Sequence, residues 1–202
     1  MELKKYVIGI TGASGSIYAK RLIEEIAAQG HKIYLIISKP GRRVWGDELE
    51  IELGEERREI AENIRHSLGY DKDDETITYL DNENIGAPTA SGSFQTEGMV
   101  VVPCSMSTLS GIAHGLSSNL LERSADVILK EKRELILVPR ETPLNAIHLE
   151  NMLKLANLGV DILPPMPGFY NKPESIDDLI NFVVGRILDR LGIEHNLYKR
   201  WS

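Results

Sequence analysis

The chain has 202 residues, 42% of them hydrophobic and 26% charged, and its 23 basic and 30 acidic residues give a net charge of -7. This length predicts one domain over residues 1–202, the charge argues against nonspecific binding of nucleic acid or an anionic membrane, and no apolar run approaches the roughly 18 residues of a membrane span. Glycines soon interrupt the apolar stretch after Lys5, and Cys104 is the only cysteine, so we expect a cytoplasmic protein with neither signal peptide nor internal disulfide.

Apolar, β-branched runs alternate along the chain with stretches of helical periodicity. The runs predict strands at residues 6–10, 32–38, 98–103, 135–138 and 161–163, with at most a short strand at 77–79. Helical spacing predicts a first helix between residue 15 and Gly30 and further helices at 50–68, 122–133, 145–158 and 175–191. Turns are expected at 39–43 and 105–110. The alternation predicts an α/β, Rossmann-like fold of three α/β/α layers with a mainly parallel sheet, and ligands at the carboxyl ends of its strands.

The first strand runs into a glycine-rich turn at residues 12–15. Between a strand and a helix, backbone N–H groups and the helix dipole can hold a phosphate or a flavin edge. Gly9, Gly12 and Gly15 do not have the dinucleotide-binding spacing, and Ser38-Lys39 stands where an NAD site has an acid. The turn therefore disfavours NAD and lacks the lysine of a P-loop, and a tight turn without a ligand stays open.

Two further segments, residues 90–94 and 103–108, are small and rich in hydroxyl groups. Each could line a ligand or could be an ordinary loop or helix cap. Cys104 has no recognisable base beside it, so the sequence favours packing over nucleophilic catalysis. The five histidines show no metal-ligand spacing, so no metal site is expected.

Charged residues cluster at two places in the second half. Arg123, Asp126 and Lys130 fall on one face of a predicted helix, and such a face is ordinarily solvated. Arg140-Glu141 follows a predicted strand, where a carboxylate beside an arginine could move protons next to a phosphate.

Taken in order, the motifs resemble those of the UbiX/Pad-type flavin prenyltransferases over essentially the whole chain. The segments that carry the resemblance include Thr11-Gly-Ala-Ser-Gly15, Ser91-Gly-Ser-Phe94, Pro103-Cys-Ser105, Arg123-Ser-Ala-Asp126, Leu129-Lys-Glu-Lys-Arg133, Val138-Pro-Arg-Glu-Thr-Pro143, His148-Leu-Glu-Asn-Met-Leu-Lys154, Pro167-Gly-Phe-Tyr170, Gly185-Arg-Ile-Leu188 and Arg200-Trp201. Each motif is weak alone, and their common order gives the resemblance its specificity.

The resemblance implies a homo-oligomeric flavoprotein, a dodecamer, with FMN between subunits. It implies transfer of a dimethylallyl group from dimethylallyl phosphate to N5 and C6 of reduced FMN without a metal. The product, prenylated FMN, would serve a UbiD-type decarboxylase.

The resemblance also assigns expected roles. The FMN contacts would be Gly12, Ala13, Ser14, Ser38, Ser105, Met106, Ser107, Thr108 and Arg140. Arg123, Tyr170, Arg186 and Lys130 of a neighbouring subunit would bind dimethylallyl phosphate. Glu141 would carry the proton, with Ser14, Glu48 as a supporting acid and Trp201 as an aromatic wall completing the catalytic set. The tail at about 192–202 would close the active site.

Departures from the family pattern are few: Ser16 replaces the usual alanine, and Pro40-Gly41 replaces an alanine pair. Two alternatives remain open. One is an FMN-dependent decarboxylase related to the cysteine decarboxylases, although Ser107-Thr108 stands where those enzymes have Asn-Thr. The other is a noncatalytic FMN carrier, which would have no need of the phosphate-binding residues.

Overall fold

A six-stranded, all-parallel sheet forms the centre of the protein, whose computed structural model describes residues 3–200. Its strands are β1 (Lys5–Ile10), β2 (Lys32–Ile37), β3 (Ile77–Asp81), β4 (Gly98–Cys104), β5 (Glu134–Pro139) and β6 (Asp161–Ile162). They lie in the order β3-β2-β1-β4-β5-β6. The predicted α/β, Rossmann-like class is confirmed.

Seven helices within residues 3–200 cover the two faces of the sheet. They are α1 (Ser16–Ala28), α2 (Lys39–Leu49), α3 (Arg57–Ser67), α4 (Met106–Ala113), α5 (Leu120–Lys130), α6 (Ala146–Asn157) and α7 (Ile176–Arg190). Apolar side chains of α1, α2, α3 and α7 pack on one face. Those of α4, α5 and α6 pack on the other.

Strand β4 shows why these sequences make a central strand. All seven of its residues are buried, and successive side chains point to opposite faces. Val100 and Val102 join the core under α1 and α7, whereas Met99 and Val101 join the core under α4 and α5. A strand covered on both faces needs the near-continuous apolar run that the sequence has there.

Two predicted turns are wrong, because both segments begin helices. Ser38 is the N-cap of α2 and accepts a hydrogen bond from Gly41 N at 3.1 Å, with Pro40 in the first turn. Ser105 is the N-cap of α4 and accepts from Thr108 N at 3.3 Å. Serine caps and an early proline start helices, and these signals outweigh the glycine and hydroxyl content.

Other boundaries differ less from expectation. The helix predicted over residues 50–68 corresponds to α3, which begins only at Arg57. Glu50 takes a left-handed conformation with φ of 57° at the end of α2, so no helix starts there. The short strand expected at 77–79 is the five-residue edge strand β3.

The strand order reverses between β1 and β4, so their connections leave in opposite directions and open a crevice at the carboxyl edge. This crevice is where a ligand is expected. No helix within residues 3–200 has the length and apolar character needed to cross a membrane.

Candidate active site

Hydrogen bonds join the loops that follow β1, β4 and β5 at the crevice. Thr11 Oγ1 donates to the Pro103 carbonyl at 2.7 Å and accepts from Ser105 N at 2.8 Å. Arg140 N donates to the Cys104 carbonyl at 3.2 Å. These hydrogen bonds thereby hold the three strand ends together around one opening.

The glycine-rich loop lies tightly against the start of α2. A Cβ on Gly12 would lie 2.5 Å from Pro40 Cβ, and Gly15 has φ of +119°, a conformation that favours glycine. Within the described part of the chain, the N–H groups of Gly12, Ala13 and Ser14 have no hydrogen-bond acceptor. Three consecutive donors are therefore available to a ligand.

The N-terminus of α1, in contrast, is occupied by the protein's own carboxylate. Glu48 Oε2 accepts from Ser16 N at 2.7 Å and from Gly15 N at 3.0 Å. Partial burial alone raises the pKa of the Glu48 carboxyl, but hydrogen bonds from the Ser14 side chain and from these two N–H groups outweigh it and lower the pKa below its usual value. Glu48 thus sits beside Ser14 as a fixed anion, and a ligand phosphate must use other donors.

Helix α4 supplies those other donors. Ser105 Oγ lies 3.2 Å from Thr108 Oγ1, and Ser107 is exposed. The Met106 side chain is buried in the core, so only the main chain of Met106 can meet a ligand. Backbone N–H groups in a first helical turn have no partner within the helix.

The donor set fits FMN. Hydroxyl groups, free backbone N–H groups and an arginine converge on the crevice, and a flavin with its phosphate presents mainly hydrogen-bond acceptors. The residues that would hold it are Gly12, Ala13, Ser14, Ser38, Ser105, Ser107, Thr108 and Arg140.

Arg140 and Glu141 stand at the end of β5. Arg140 Nε donates to the Ser14 carbonyl at 3.2 Å, which fixes the guanidinium beside the glycine-rich loop. Glu141 is exposed, and its Oε1 accepts from the backbone N–H of Thr142 at 3.0 Å. A positioned arginine next to an accessible carboxylate can bind an anion and exchange a proton at the same opening.

Lys130 lies far from this opening in its own protomer. It is the last residue of α5 and pairs with Glu131 at 2.6 Å, just before β5 begins at Glu134. Arg140 directly follows the other end of β5, and a six-residue strand is about 20 Å long. Arg123, on the same helix, pairs with Asp126 at 2.8 Å.

Tyr170 and Arg186 form a third group on and beside α7. Arg186 Nη1 lies 3.4 Å from Asp189 Oδ2, and Tyr170 packs edge-on against Phe182 with 5.7 Å between ring centroids. One turn after Arg186, Arg190 pairs with Glu134 at the start of β5. This group therefore lies toward the amino edge of the sheet, away from Arg140.

The remaining sequence expectations concern Cys104, Trp201 and metals. Cys104 is fully buried, and burial raises the pKa of its thiol, which fits packing and not nucleophilic chemistry. Trp201 lies outside the described residues. Among residues 3–200, no group of three or more His, Cys, Asp or Glu side chains could hold a metal ion.

Sequence reasoning missed Thr11 and Asp189. Thr11 joins two strand ends; it begins one of the motifs that carry the resemblance, but no role was assigned to it. Asp189 accepts hydrogen bonds from residues up to eleven positions away, and nothing in the local sequence marks it.

Comparison with known proteins identifies the family. A family model described as Flavoprotein matches residues 1–188. The flavin prenyltransferase UbiX of Halalkalibacterium halodurans is 53% identical over 197 residues, covering 98% of this chain and 93% of that protein. The flavin prenyltransferase UbiX of Methanocaldococcus jannaschii is 48% identical, covering 98% of both. The chain belongs to the UbiX flavin prenyltransferase family.

Solved structures of UbiX proteins agree with this membership. AnUbiX (PadA1), crystallised with FMN and dimethylallyl pyrophosphate, superposes with a TM-score of 0.87 at 36% identity, covering 100% of this chain and 98% of that chain. A dodecameric FMN-dependent UbiX-like decarboxylase from Escherichia coli O157:H7 has a TM-score of 0.85 at 39% identity, covering 98% and 99%. The peptidyl-cysteine decarboxylase EpiD, at 17% identity and a TM-score of 0.59, covering 94% of this chain and 99% of EpiD, shares the fold alone. The predicted UbiX family and prenyltransferase class are confirmed in preference to a cysteine decarboxylase.

Proposed function

We propose that the protein transfers a dimethylallyl group from dimethylallyl phosphate to N5 and C6 of FMN, giving prenylated FMN for a UbiD-type decarboxylase. The observation that carries this proposal is the bond from Arg140 to the Ser14 carbonyl. It holds the Arg140 guanidinium, a group that can bind an anion, beside the glycine-rich loop, and Arg140 is followed directly by the accessible carboxylate of Glu141. The proposed flavin contacts and the proposed proton carrier thus lie at one opening.

FMN would lie across the carboxyl ends of β1, β4 and β5. Reduced FMN, when bound there, supplies the N5 and C6 atoms that receive the prenyl group. The hydroxyls of Ser38 and Ser105 cap helices that begin at this edge, so their positions are set by the fold.

Phosphate contacts would provide most of the donor's anchoring. Burial of a five-carbon prenyl group contributes at most about 4 kcal/mol, whereas charged hydrogen bonds to a phosphate also fix its orientation. Arg123, Lys130 and Arg186 would bind the phosphate and stabilise the negative charge that grows on it as it leaves. Glu141 would carry a proton between the departing phosphate and the acceptor.

These residues can act together only across subunits. In one protomer Lys130 and Arg186 lie away from Arg140 and Glu141, toward the opposite edge of the sheet. We therefore propose an oligomer, a dodecamer as described for the Escherichia coli relative, in which Lys130 and Arg186 of neighbouring protomers reach the flavin site of each protomer.

The experiment is mass spectrometry of the flavin extracted after anaerobic incubation with FMN, dithionite and dimethylallyl phosphate. We expect a flavin heavier by one prenyl unit. Glu141→Gln should bind FMN with unchanged affinity and lose at least about 100-fold in product formation, the usual contribution of a general acid or base.

Glu150→Gln is the matched control, because Glu150 is an exposed carboxylate on α6 and should retain wild-type activity. Unmodified FMN from the wild-type protein, with both the monophosphate and the diphosphate, would contradict the proposal and favour a carrier or a decarboxylase. Loss of FMN binding in Glu141→Gln would assign Glu141 a structural role.

A further inference from the structure

The carboxylate of Asp189, on the last turn of α7, accepts hydrogen bonds from four side chains. Oδ1 accepts from His195 Nε2 at 3.1 Å and from Arg200 Nη2 at 2.7 Å. Oδ2 accepts from Tyr198 Oη at 2.5 Å and from Arg186 Nη1 at 3.4 Å. A carboxylate has about four acceptor sites, so this one is fully used.

These bonds hold the chain after α7 against the helix. The His195 side chain is 1% exposed, and its Nδ1 accepts from Leu197 N at 3.2 Å, so Nε2 carries the proton given to Asp189. Gly185 makes the close approach possible, because a Cβ there would lie 2.6 Å from the Tyr198 ring and 2.7 Å from His195. The segment 193–200 is therefore docked by shape as well as by charge.

Two of the four residues expected to bind the prenyl donor, Arg186 and Tyr170, adjoin this cluster. Arg186 is held by Asp189 directly, with 3.4 Å between its Nη1 and Asp189 Oδ2. Phe182 packs between Tyr198, at 5.2 Å, and Tyr170, at 5.7 Å between ring centroids. The Arg186 guanidinium and, through Tyr198 and Phe182, the Tyr170 ring are thus linked by contacts to the Asp189 carboxylate.

We propose that Asp189 is a positioning residue that docks the segment 193–200 on α7. It holds Arg186 directly, and Tyr170 through Tyr198 and Phe182, in place for the phosphate of the prenyl donor. This inference rests on the proposed function for the identity of the donor. In this role Asp189 acts through the side chains that it orders.

The charge state of Asp189 suits this role. Burial alone raises the pKa of its carboxyl, but the hydrogen bonds from Arg200, Tyr198 and His195 outweigh burial and lower the pKa to about 2. The carboxylate is therefore ionised throughout the physiological range and can accept from all four donors.

The test is Asp189→Asn, which keeps the size of the side chain but replaces one acceptor oxygen by an amide that donates. We expect the Kd of dimethylallyl phosphate, measured by calorimetry on the FMN-loaded protein, and its KM to rise about tenfold, the effect of one lost charged hydrogen bond. The kcat and the affinity for FMN should stay near wild type. Hydrogen exchange of the amides of residues 193–200 should accelerate.

Asp177→Asn is the matched control, because it makes the same change at an exposed position on the same helix and should alter none of these values. Unchanged donor Kd and unchanged exchange in Asp189→Asn would overturn the inference. A lower kcat with unchanged KM would also overturn it, since that is the result of a reduced folded fraction. If the wild-type protein makes no prenylated FMN, the proposed function fails, and donor Kd and tail exchange still decide the inference.

Gly185→Ala provides a second variant that leaves every polar group of the cluster in place. The added methyl meets the Tyr198 and His195 rings and should lift the tail, giving faster exchange and a higher donor Kd. Alanine also favours the helix by about 0.5–1 kcal/mol relative to glycine, so global unfolding should not explain the change. If hydrogen exchange of residues 193–200 stayed as slow as in wild type and the donor Kd were unchanged in this variant, the docking role would be contradicted.

Discussion

At the residue scale, Glu48 shows how a side chain outside a motif decides what the motif can do. The glycine-rich turn was expected to present both its N–H groups and the α1 dipole to a ligand. Glu48 takes the N–H groups of Gly15 and Ser16 and leaves those of residues 12–14. No local pattern links positions 32 residues apart, so only the resemblance pointed to Glu48.

We expect the capping by Glu48 to make stability depend on pH. Its folded-state pKa lies below the ordinary value of 4.5, so its contribution is complete above that value and is lost as pH falls through the folded pKa. At pH 7 Glu48→Gln should be less stable than wild type by about 1 kcal/mol, the usual value of a helix cap. Thermal unfolding at pH 7, 5 and 3 should show that the difference in stability between wild type and Glu48→Gln disappears below about pH 4.5.

Asp47→Asn is the control for this prediction, because Asp47 is exposed and its ion pair with Arg43 is long, at 3.8 Å. Its stability relative to wild type should not follow the same pH course. If the difference in stability between wild type and Glu48→Gln stayed constant from pH 7 to 3, the charged Glu48 carboxylate would not be the cap of α1.

At the element scale, the sequence predicts what burial dictates and misses what close packing at helix starts dictates. The buried strands β1, β2, β4 and β5 could be read from apolar runs because both faces of the sheet are covered. The helices α2 and α4 begin in glycine-, proline- and hydroxyl-containing segments that are typical of turns. The cap residues Ser38 and Ser105 can be read in the sequence, but the close packing of these first turns against the sheet, which favours helices over turns there, cannot.

Two glycines of α2 should respond oppositely to alanine. A Cβ on Gly41 would lie 2.8 Å from the Ile10 carbonyl oxygen, whereas a Cβ on Gly46 would have 3.5 Å to its nearest neighbour. Gly41→Ala should therefore destabilise the protein by about 1–3 kcal/mol, the cost of overpacking. It should also weaken FMN binding, because Ser38 moves with the helix start.

Gly46→Ala should instead be neutral or stabilise by about 0.5–1 kcal/mol and leave FMN affinity unchanged. Urea unfolding and flavin titration of both variants measure these effects. Equal stabilisation by the two substitutions would contradict the close contact between Gly41 of α2 and the Ile10 carbonyl of β1.

At the scale of the whole molecule, the proposed division of the site between subunits and an exposed apolar helix both favour an oligomer. Helix α6 and the residue after it expose Ile147, Leu149, Leu153 and Leu158 by 52–66%, and apolar surface of this kind is typical of protein interfaces. The expected site residues fall into three groups that one protomer keeps apart. The sequence motifs identify the members of each group. The distance between the groups depends on which edge of the sheet each helix or strand reaches, and the motifs do not contain that information.

If each site takes Lys130 from a neighbour, two inactive variants should restore activity in mixed oligomers. Lys130→Ala retains an intact Arg140 and Glu141, and Glu141→Gln retains an intact Lys130. With random assembly of equal amounts, about a quarter of the sites combine the intact parts of both chains. Co-expression with two different tags, tandem purification and mass spectrometry of the flavin product should therefore give about a quarter of wild-type activity.

Arg140→Ala mixed with Glu141→Gln should give no rescue, because both residues belong to the flavin-bearing edge of one protomer. Activity of the Lys130 and Glu141 mixture no higher than that of the separate variants would place Lys130 outside the neighbour's site.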